Sequence, residues 1–170
     1  VRTAYAPQQF PTVEKVTFEP GSVCESYGFN TPLISGISLP SGLKKLDDYT
    51  FRDCKNLKSI VLPDGLQSIG RFCFDGSAVE SLVLPSSLEE LGPEALAGMS
   101  LKTFTVPSTV KHIRQGCFYN CTALEELNLP SSLESFGITD PDYPYTSHKV
   151  LENTLLTELV LHGKNLLLGN

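Results

Sequence analysis

Five prolines, Pro40, Pro63, Pro85, Pro107 and Pro130, stand 23, 22, 22 and 23 residues apart, and each follows a leucine or valine. The motif L-P-x-x-L-x-x-[ILF] begins at Leu39, Leu62, Leu84 and Leu129, with Val106-Pro107 as a variant. A period of that length is too short for ankyrin, helical-hairpin or propeller-blade units. It fits one coil of a solenoid, and residues 57–79 (L-K-S-I-V-L-P-D-G-L-Q-S-I-G-R-F-C-F-D-G-S-A-V) hold one complete coil.

Aligned on the proline, the coils resolve into columns with separate physical tasks. Position three holds Leu43, Leu66, Leu88, Val110 and Leu133, and position six Leu46, Ile69, Leu91, Ile113 and Phe136. Position eleven is Phe51, Phe74, Leu96 and Phe118. The flanking positions ten (Thr50, Cys73, Ala95, Cys117) and fourteen (Cys54, Ser77, Met99, Cys121) are mostly small. Each coil ends on apolar residues two apart, Ile60-Leu62, Leu82-Leu84, Phe104-Val106 and Leu127-Leu129, which is the period of a short strand. A single coil cannot bury these side chains, because the apolar neighbour of each lies in the next coil. Parallel pairing of successive strands at about 4.8 Å would make about seven coils a solenoid roughly 30–35 Å long. Proline is tolerated at a strand end because its missing N–H removes no ladder bond.

The unit L-x-x-I-x-L-P-x-x-L-x-x-I-G-x-x-x-F-x-x-C-x-x-L resembles the BspA-like subclass of leucine-rich repeats, most fully over residues 39–129. The resemblance implies an α/β fold, a right-handed solenoid with a parallel β-sheet on the concave face and short helical or irregular turns on the convex face. It also implies a cell-surface or secreted protein that recognises a protein partner or adheres to one, without catalytic residues. A glycan is the alternative ligand.

Composition agrees with one domain spanning residues 1–170. The chain is 41% hydrophobic and 19% charged, enough apolar material to bury a core. A net charge of −6 and the absence of a basic run argue against nucleic acid or an anionic membrane as partner. No stretch of 18 apolar residues offers a membrane span, and no export signal is recognisable at the start, so the reading as an exported protein places that signal outside this sequence.

Along the chain, residues 1–12 read as a lead-in, 13–39 as degenerate N-terminal coils, and 40–129 as regular repeats. Gly92-Pro93-Glu94 reads as a turn feeding a short helix. After Pro130 the next strand is expected at 159–161, which makes the coil 32 residues long, with an insertion at about 137–153. The insertion carries Asp140, Asp142, Tyr143 and Tyr145, with Pro141 and Pro144 restricting their backbone. Its tyrosines would anchor a partner, or the loop would cover the end of the core. Residues 163–170 are expected to cap the last coil with Leu166, Leu167 and Leu168.

Five cysteines raise the question of disulfides. Cys54 and Cys121 share a column three coils apart, about 14 Å by strand spacing, and Cys73 and Cys117 share one two coils apart, about 10 Å. A disulfide needs Cα atoms within about 7 Å, which excludes both column pairs. Cys117 and Cys121, four apart in one turn, would permit a metal or redox pair but lack the CxxC spacing and nearby histidines, so the four read as buried free thiols, while Cys24 falls outside the columns. His112, His148 and His162 sit in no ligand spacing. No nucleophile elbow or phosphate-binding glycine loop occurs, so no catalytic, cofactor or metal residue is assigned. His148 near Asp140 and Asp142 would permit a metal site, against the simpler reading of a solvated acidic loop. Asn120-Cys121-Thr122 forms an N-glycosylation triplet.

The strand period also defines an outward row, Ser38, Val61, Val83, Thr105, Asn128 and Val160, with Gly36, Ser59, Ser81, Thr103, Glu126 and Glu158 two residues earlier. This row, together with Tyr143 and Tyr145, is the candidate contact surface for a protein from a host surface or matrix. The competing reading is a spacer in a larger surface protein with no ligand of its own.

Overall fold

The computed structural model describes residues 12–18, 26–27, 31–142, 144, 148–162 and 166–169. Its strands are β1 (Lys15–Val16), β2 (Ser26–Tyr27), β3 (Gly36–Ile37), β4 (Lys45–Leu46), β5 (Ser68–Ile69), β6 (Glu90–Leu91), β7 (Thr103–Thr105), β8 (His112–Arg114), β9 (Glu126–Asn128), β10 (Ser135–Ile138) and β11 (Leu167–Leu168). Every pairing among them is parallel. A solenoid of stacked coils produces this, since each coil returns the chain to the same line in the same direction.

The repeat makes two strand lines, and the sequence reading weighted them wrongly. The continuous sheet lies after the proline, at positions five and six, in the order β11-β10-β8-β6-β5-β4-β2. Its register carries Leu46, Ile69, Leu91, Ile113 and Phe136 rung over rung. The apolar pairs before the proline form the second line, bonded only in segments: β1 with β3, Ser59 with Ser81, and β7 with β9. Along β4, β5, β6, β8 and β10 the first line is continuous, and in each the buried residue at position six meets its counterpart on the next coil. In the second line the buried residues alternate with exposed ones and the backbone pairing is intermittent.

The inward columns lie where the period puts them. Leu43, Leu66, Leu88, Val110 and Leu133 are buried, as are the whole of position six and the ring column Phe51, Phe74, Leu96 and Phe118. Phe51 stacks on Phe74 at 5.3 Å, and Phe118 meets Phe104 edge-on at 5.7 Å, so the rings join the turn to the strand before the proline. Cys54, Cys73, Cys117 and Cys121 are buried free thiols, and Cys24 lies outside the described residues. Cys54 Sγ–H donates to the Thr31 carbonyl at 3.4 Å and Cys121 Sγ–H to the Leu96 carbonyl at 3.2 Å, each tying its coil to the one before. Burial pushes the Cys54 thiol up to about 12 and Cys121 to about 11.

No helix occurs among the described residues, so the short helix expected at Pro93 is replaced by a turn. The hydrogen bonds give the reason. Glu94, Leu96 and Gly98 send their N–H groups to the carbonyls of Gln115, Cys117 and Tyr119 on the following coil; a helix would have turned them back along its own axis. Phe72, Phe74 and Gly76 donate likewise to Pro93, Ala95 and Ala97, and Tyr49, Phe51 and Asp53 to Arg71, Cys73 and Asp75. Aiming alternate peptides across the coils requires left-handed residues, at position nine (Tyr49, Phe72, Glu94, Gly116) and position thirteen (Asp53, Gly76, Gly98, Asn120). Tyr, Phe and Glu pay a steric cost there, on the order of 1–3 kcal/mol each, which the ladder bonds offset.

The long coil after Pro130 rejoins this pattern at its turn. Phe118 N–H reaches the Val150 carbonyl and Asn120 N–H that of Glu152, while Asn153 takes the left-handed φ of +60°. Val150 therefore occupies position ten, and the extra residues fall between Ile138 and Val150, a shorter span than 137–153. One other expectation fails: residues 159–161 form no strand. Leu167 and Leu168 extend the continuous sheet as β11 against β10 with their side chains 62% and 61% exposed, while Leu166 packs against the core, so the last coil is covered by backbone pairing and one leucine.

Two outcomes follow for the fold. Ile69→Ala, in a fully buried rung, is expected to cost about 2–5 kcal/mol in urea unfolding, and Val61→Thr on the exposed row under ~0.5 kcal/mol; similar losses would contradict the assignment of faces. Iodoacetamide at pH 8 should leave Cys54, Cys73, Cys117 and Cys121 unlabelled in the native protein and label all four in denaturant, as read by peptide mass spectrometry.

Candidate functional site

The outward row stands where strand alternation puts it. Ile60 and Leu62 are buried around Val61, and Leu82 and Leu84 around Val83, so each valine faces solvent, 84% and 83% exposed. Ser59 pairs with Ser81, which sets Val61 beside Val83, and Thr105 pairs with Asn128 one coil pair further on. Ser38, Thr105 and Asn128 are exposed, and Val160 is 50% exposed. The row therefore forms a low ridge of short side chains, apolar at Val61 and Val83 and amide-bearing at Asn128, whose Nδ2 donates to Glu126 at 2.8 Å. Tyr143 and Tyr145 lie outside the described residues.

The outer side of the continuous sheet has a different character. Asp48 accepts from Arg71 Nε at 3.0 Å, from Nη2 at 2.8 Å and from the Arg71 backbone N–H, while Glu90 accepts from Arg114 Nε at 2.8 Å. On the turn side the Arg52 guanidinium lies over the rings of Tyr49 and Phe72, themselves stacked at 5.2 Å, and pairs with Asp75 at 2.9 Å. These partners link neighbouring coils and are already satisfied, which leaves little free charge to recognise a ligand.

One charged residue, expected at the start of a short helix, has a different place. Glu94 occupies position nine, where the preceding coils carry Tyr49 and Phe72, and it is buried although its φ is +53°. The following coil has Gly116 in that column, and a Cβ there would stand 2.5 Å from Glu94 Cγ and 3.4 Å from His148 Cβ. That space admits His148 from the insertion, which stacks flat on Tyr119 at 3.8 Å and brings Nδ1 to 3.1 Å from Glu94 Oε2. The contact lacks the alignment of a hydrogen bond, and Glu94 Oε1 is buried without a partner. Burial pushes the Glu94 carboxyl above its usual value, and His148 opposes only part of that push. The signal available in the sequence was the column itself: an acid followed by a glycine where aromatic rings precede.

His148 thus turns to Glu94. Asp140 Oδ1 accepts from the Asp142 backbone N–H at 2.9 Å, and Gln115 Oε1 accepts from the Asp140 N–H at 2.8 Å, which seats the start of the insertion on the turn. Among the described residues no group of three ligating side chains could hold a metal ion, and no helix is long and apolar enough to cross a membrane.

A family described as "BspA type Leucine rich repeat region" matches residues 22–139, in six copies. Among solved structures, a leucine-rich repeat protein from Bacteroides ovatus is 30% identical over 73% of this chain, with a TM-score of 0.65; the matched part is 36% of that protein's length. The leucine-rich repeat protein of T. pallidum is 22% identical, with a TM-score of 0.58 over 82% of this chain and 73% of its own, a likeness of fold alone. No curated protein matches.

The Glu94 pocket gives a signed pH effect. Because the folded-state value lies above the unfolded one, the stability this group adds is complete below about pH 4.5 and is lost as pH rises through the elevated value. Glu94→Gln keeps the neutral shape, so its melting temperature should exceed that of the unmodified protein at pH 7, the two converging near pH 4. A lower value at pH 7 would mean that attraction to His148 outweighs desolvation.

Proposed function

The chain belongs to the BspA-type leucine-rich repeat family, and from that premise we propose that it is a non-catalytic recognition or adhesion module acting at the cell surface or outside the cell. Its partner in this reading is a protein of a host surface or extracellular matrix, gripped by the outward row from Ser38 to Val160. The observation that carries the reading is the pair Val61 and Val83, set side by side by the Ser59–Ser81 bridge and more than four-fifths exposed on extended segments that bury their neighbours. A β-branched side chain there favours the extended backbone and gains a little from its neighbour, but most of its apolar surface stays in water. Covering it by a partner would remove apolar surface at little entropic cost, since valine has a single side-chain rotor.

Flatness sets the class of partner. The row offers no deep cavity for a small molecule, and short side chains on a regular strand spacing suit an extended or gently curved polypeptide surface. The net charge of −6 disfavours phosphate backbones and anionic lipid. A glycan would need a denser set of hydrogen-bonding groups than Val61 and Val83 supply.

Biolayer interferometry against fractionated mucosal and matrix proteins tests the reading. A single fraction should bind the purified chain saturably, and Val83→Lys with Thr105→Lys should weaken that binding by about tenfold or more, roughly 1.4 kcal/mol. Undiminished binding by the double variant would remove the row from the contact.

A further inference from the structure

Beyond Asn128 the row loses its strand, and the break leaves an opening with a chemistry of its own. In β9 the Glu126 N–H donates to the Lys102 carbonyl and the Asn128 carbonyl accepts from Val106 N–H, so residues 126 and 128 turn their peptide groups toward the preceding coil. Parallel pairing alternates, so Leu127 turns its N–H and C=O to the other side. There the chain passes as residues 158–162 without forming a strand. Among the described residues the last backbone bond between the two coils is Leu155 N–H to the Leu124 carbonyl at 3.0 Å, and none joins Leu127 or Leu129 to residues 158–162.

Between them lies a groove of about 310 Å³ whose walls include Leu127, Asn128 and Val160 and the three acids Glu125, Glu126 and Glu158. Among the described residues none of the three acids is ion-paired, and Glu126 meets only the Asn128 amide. An open parallel edge presents backbone donors and acceptors at strand spacing, and unneutralised acids beside it select the sign of what pairs there.

We propose that the edge of β9 binds an extended, positively charged polypeptide segment as an added parallel strand, with Lys or Arg side chains at alternate positions reaching Glu125, Glu126 and Glu158. Charge separates this occupant from a second copy of the chain, whose net charge of −6 would set like against like. The site goes beyond the contact row proposed above, because it needs backbone edge and acids and does not use Val61 or Val83.

Fluorescence anisotropy of the full chain with a labelled peptide of alternating lysine and valine is the test. Saturable binding is expected, reduced by about tenfold or more when alternate peptide nitrogens are methylated, when glutamate replaces lysine, or in Glu126→Lys with Glu158→Lys. Both substituted positions are exposed, and the methylated peptide tests the edge on the unaltered protein. Val83→Lys should leave this binding unchanged, so loss of the contact row and loss of the edge site read out separately. Absence of saturable binding, or equal binding by the methylated peptide, would overturn the proposal.

Discussion

Everything in this molecule depends on identical rungs lying directly above one another. A coil of 22 or 23 residues owns no core; its inward leucines are buried only because the same positions of the adjacent coils cover them. The register Leu46, Ile69, Leu91, Ile113, Phe136 is therefore both the consequence of the sequence period and the source of the stability. A shift of one residue would turn this whole column to solvent, so the period is held tightly where the strands are continuous. Where side chains face outward the constraint lapses, and Val61 and Val83 can be chosen for another purpose.

What could be read beforehand follows from the same rule. Columns three, six, ten, eleven and fourteen were legible because burial constrains residue type, and the alternation Ile60-Val61-Leu62 was enough to place the exposed row. The continuous sheet was harder to see. Its strands are only two residues long at Lys45–Leu46, Ser68–Ile69 and Glu90–Leu91, one polar and one apolar, with no period to detect. The pre-proline triplets look more like strands and pair less. The turn ladder left no compositional trace either: Tyr49, Phe72 and Glu94 are poor candidates for a left-handed backbone, and only Gly116 in that column and the Asp53, Gly76, Gly98, Asn120 column hinted at it. Of the three leucines expected to cap the last coil, Leu166 packs on the core, whereas Leu167 and Leu168 are placed by backbone pairing with β10, which no side-chain pattern announces.

The insertion shows how a solenoid accepts extra length. The continuous sheet and the turn ladder both resume across it, since Phe136 pairs with Leu168 and Phe118 bonds to Val150. Only the line before the proline, already intermittent, gives way. The extra residues thus strain the weakest of the three inter-coil connections, and the open edge of β9 is the local result. Loop closure grows slowly with length, so ten or so added residues cost little entropy, and the visible effect is one of register.

Glu94 shows what happens when a column is broken deliberately. Its two predecessors stack as rings, and the chain gives up that stacking for a buried carboxylate that burial destabilises and His148 only partly relieves. In exchange, Gly116 opens the space through which His148 lies flat on Tyr119, and the far end of the insertion is seated as Gln115 seats its beginning. Both anchors come from the turn side, while the contact row lies on the strand side. The loop is therefore tied to the convergence of two coil turns, and no observed contact of its ends draws it across Val61 or Val83. Val61 and Val83 accordingly keep more than four-fifths of their surface in solvent among the described residues.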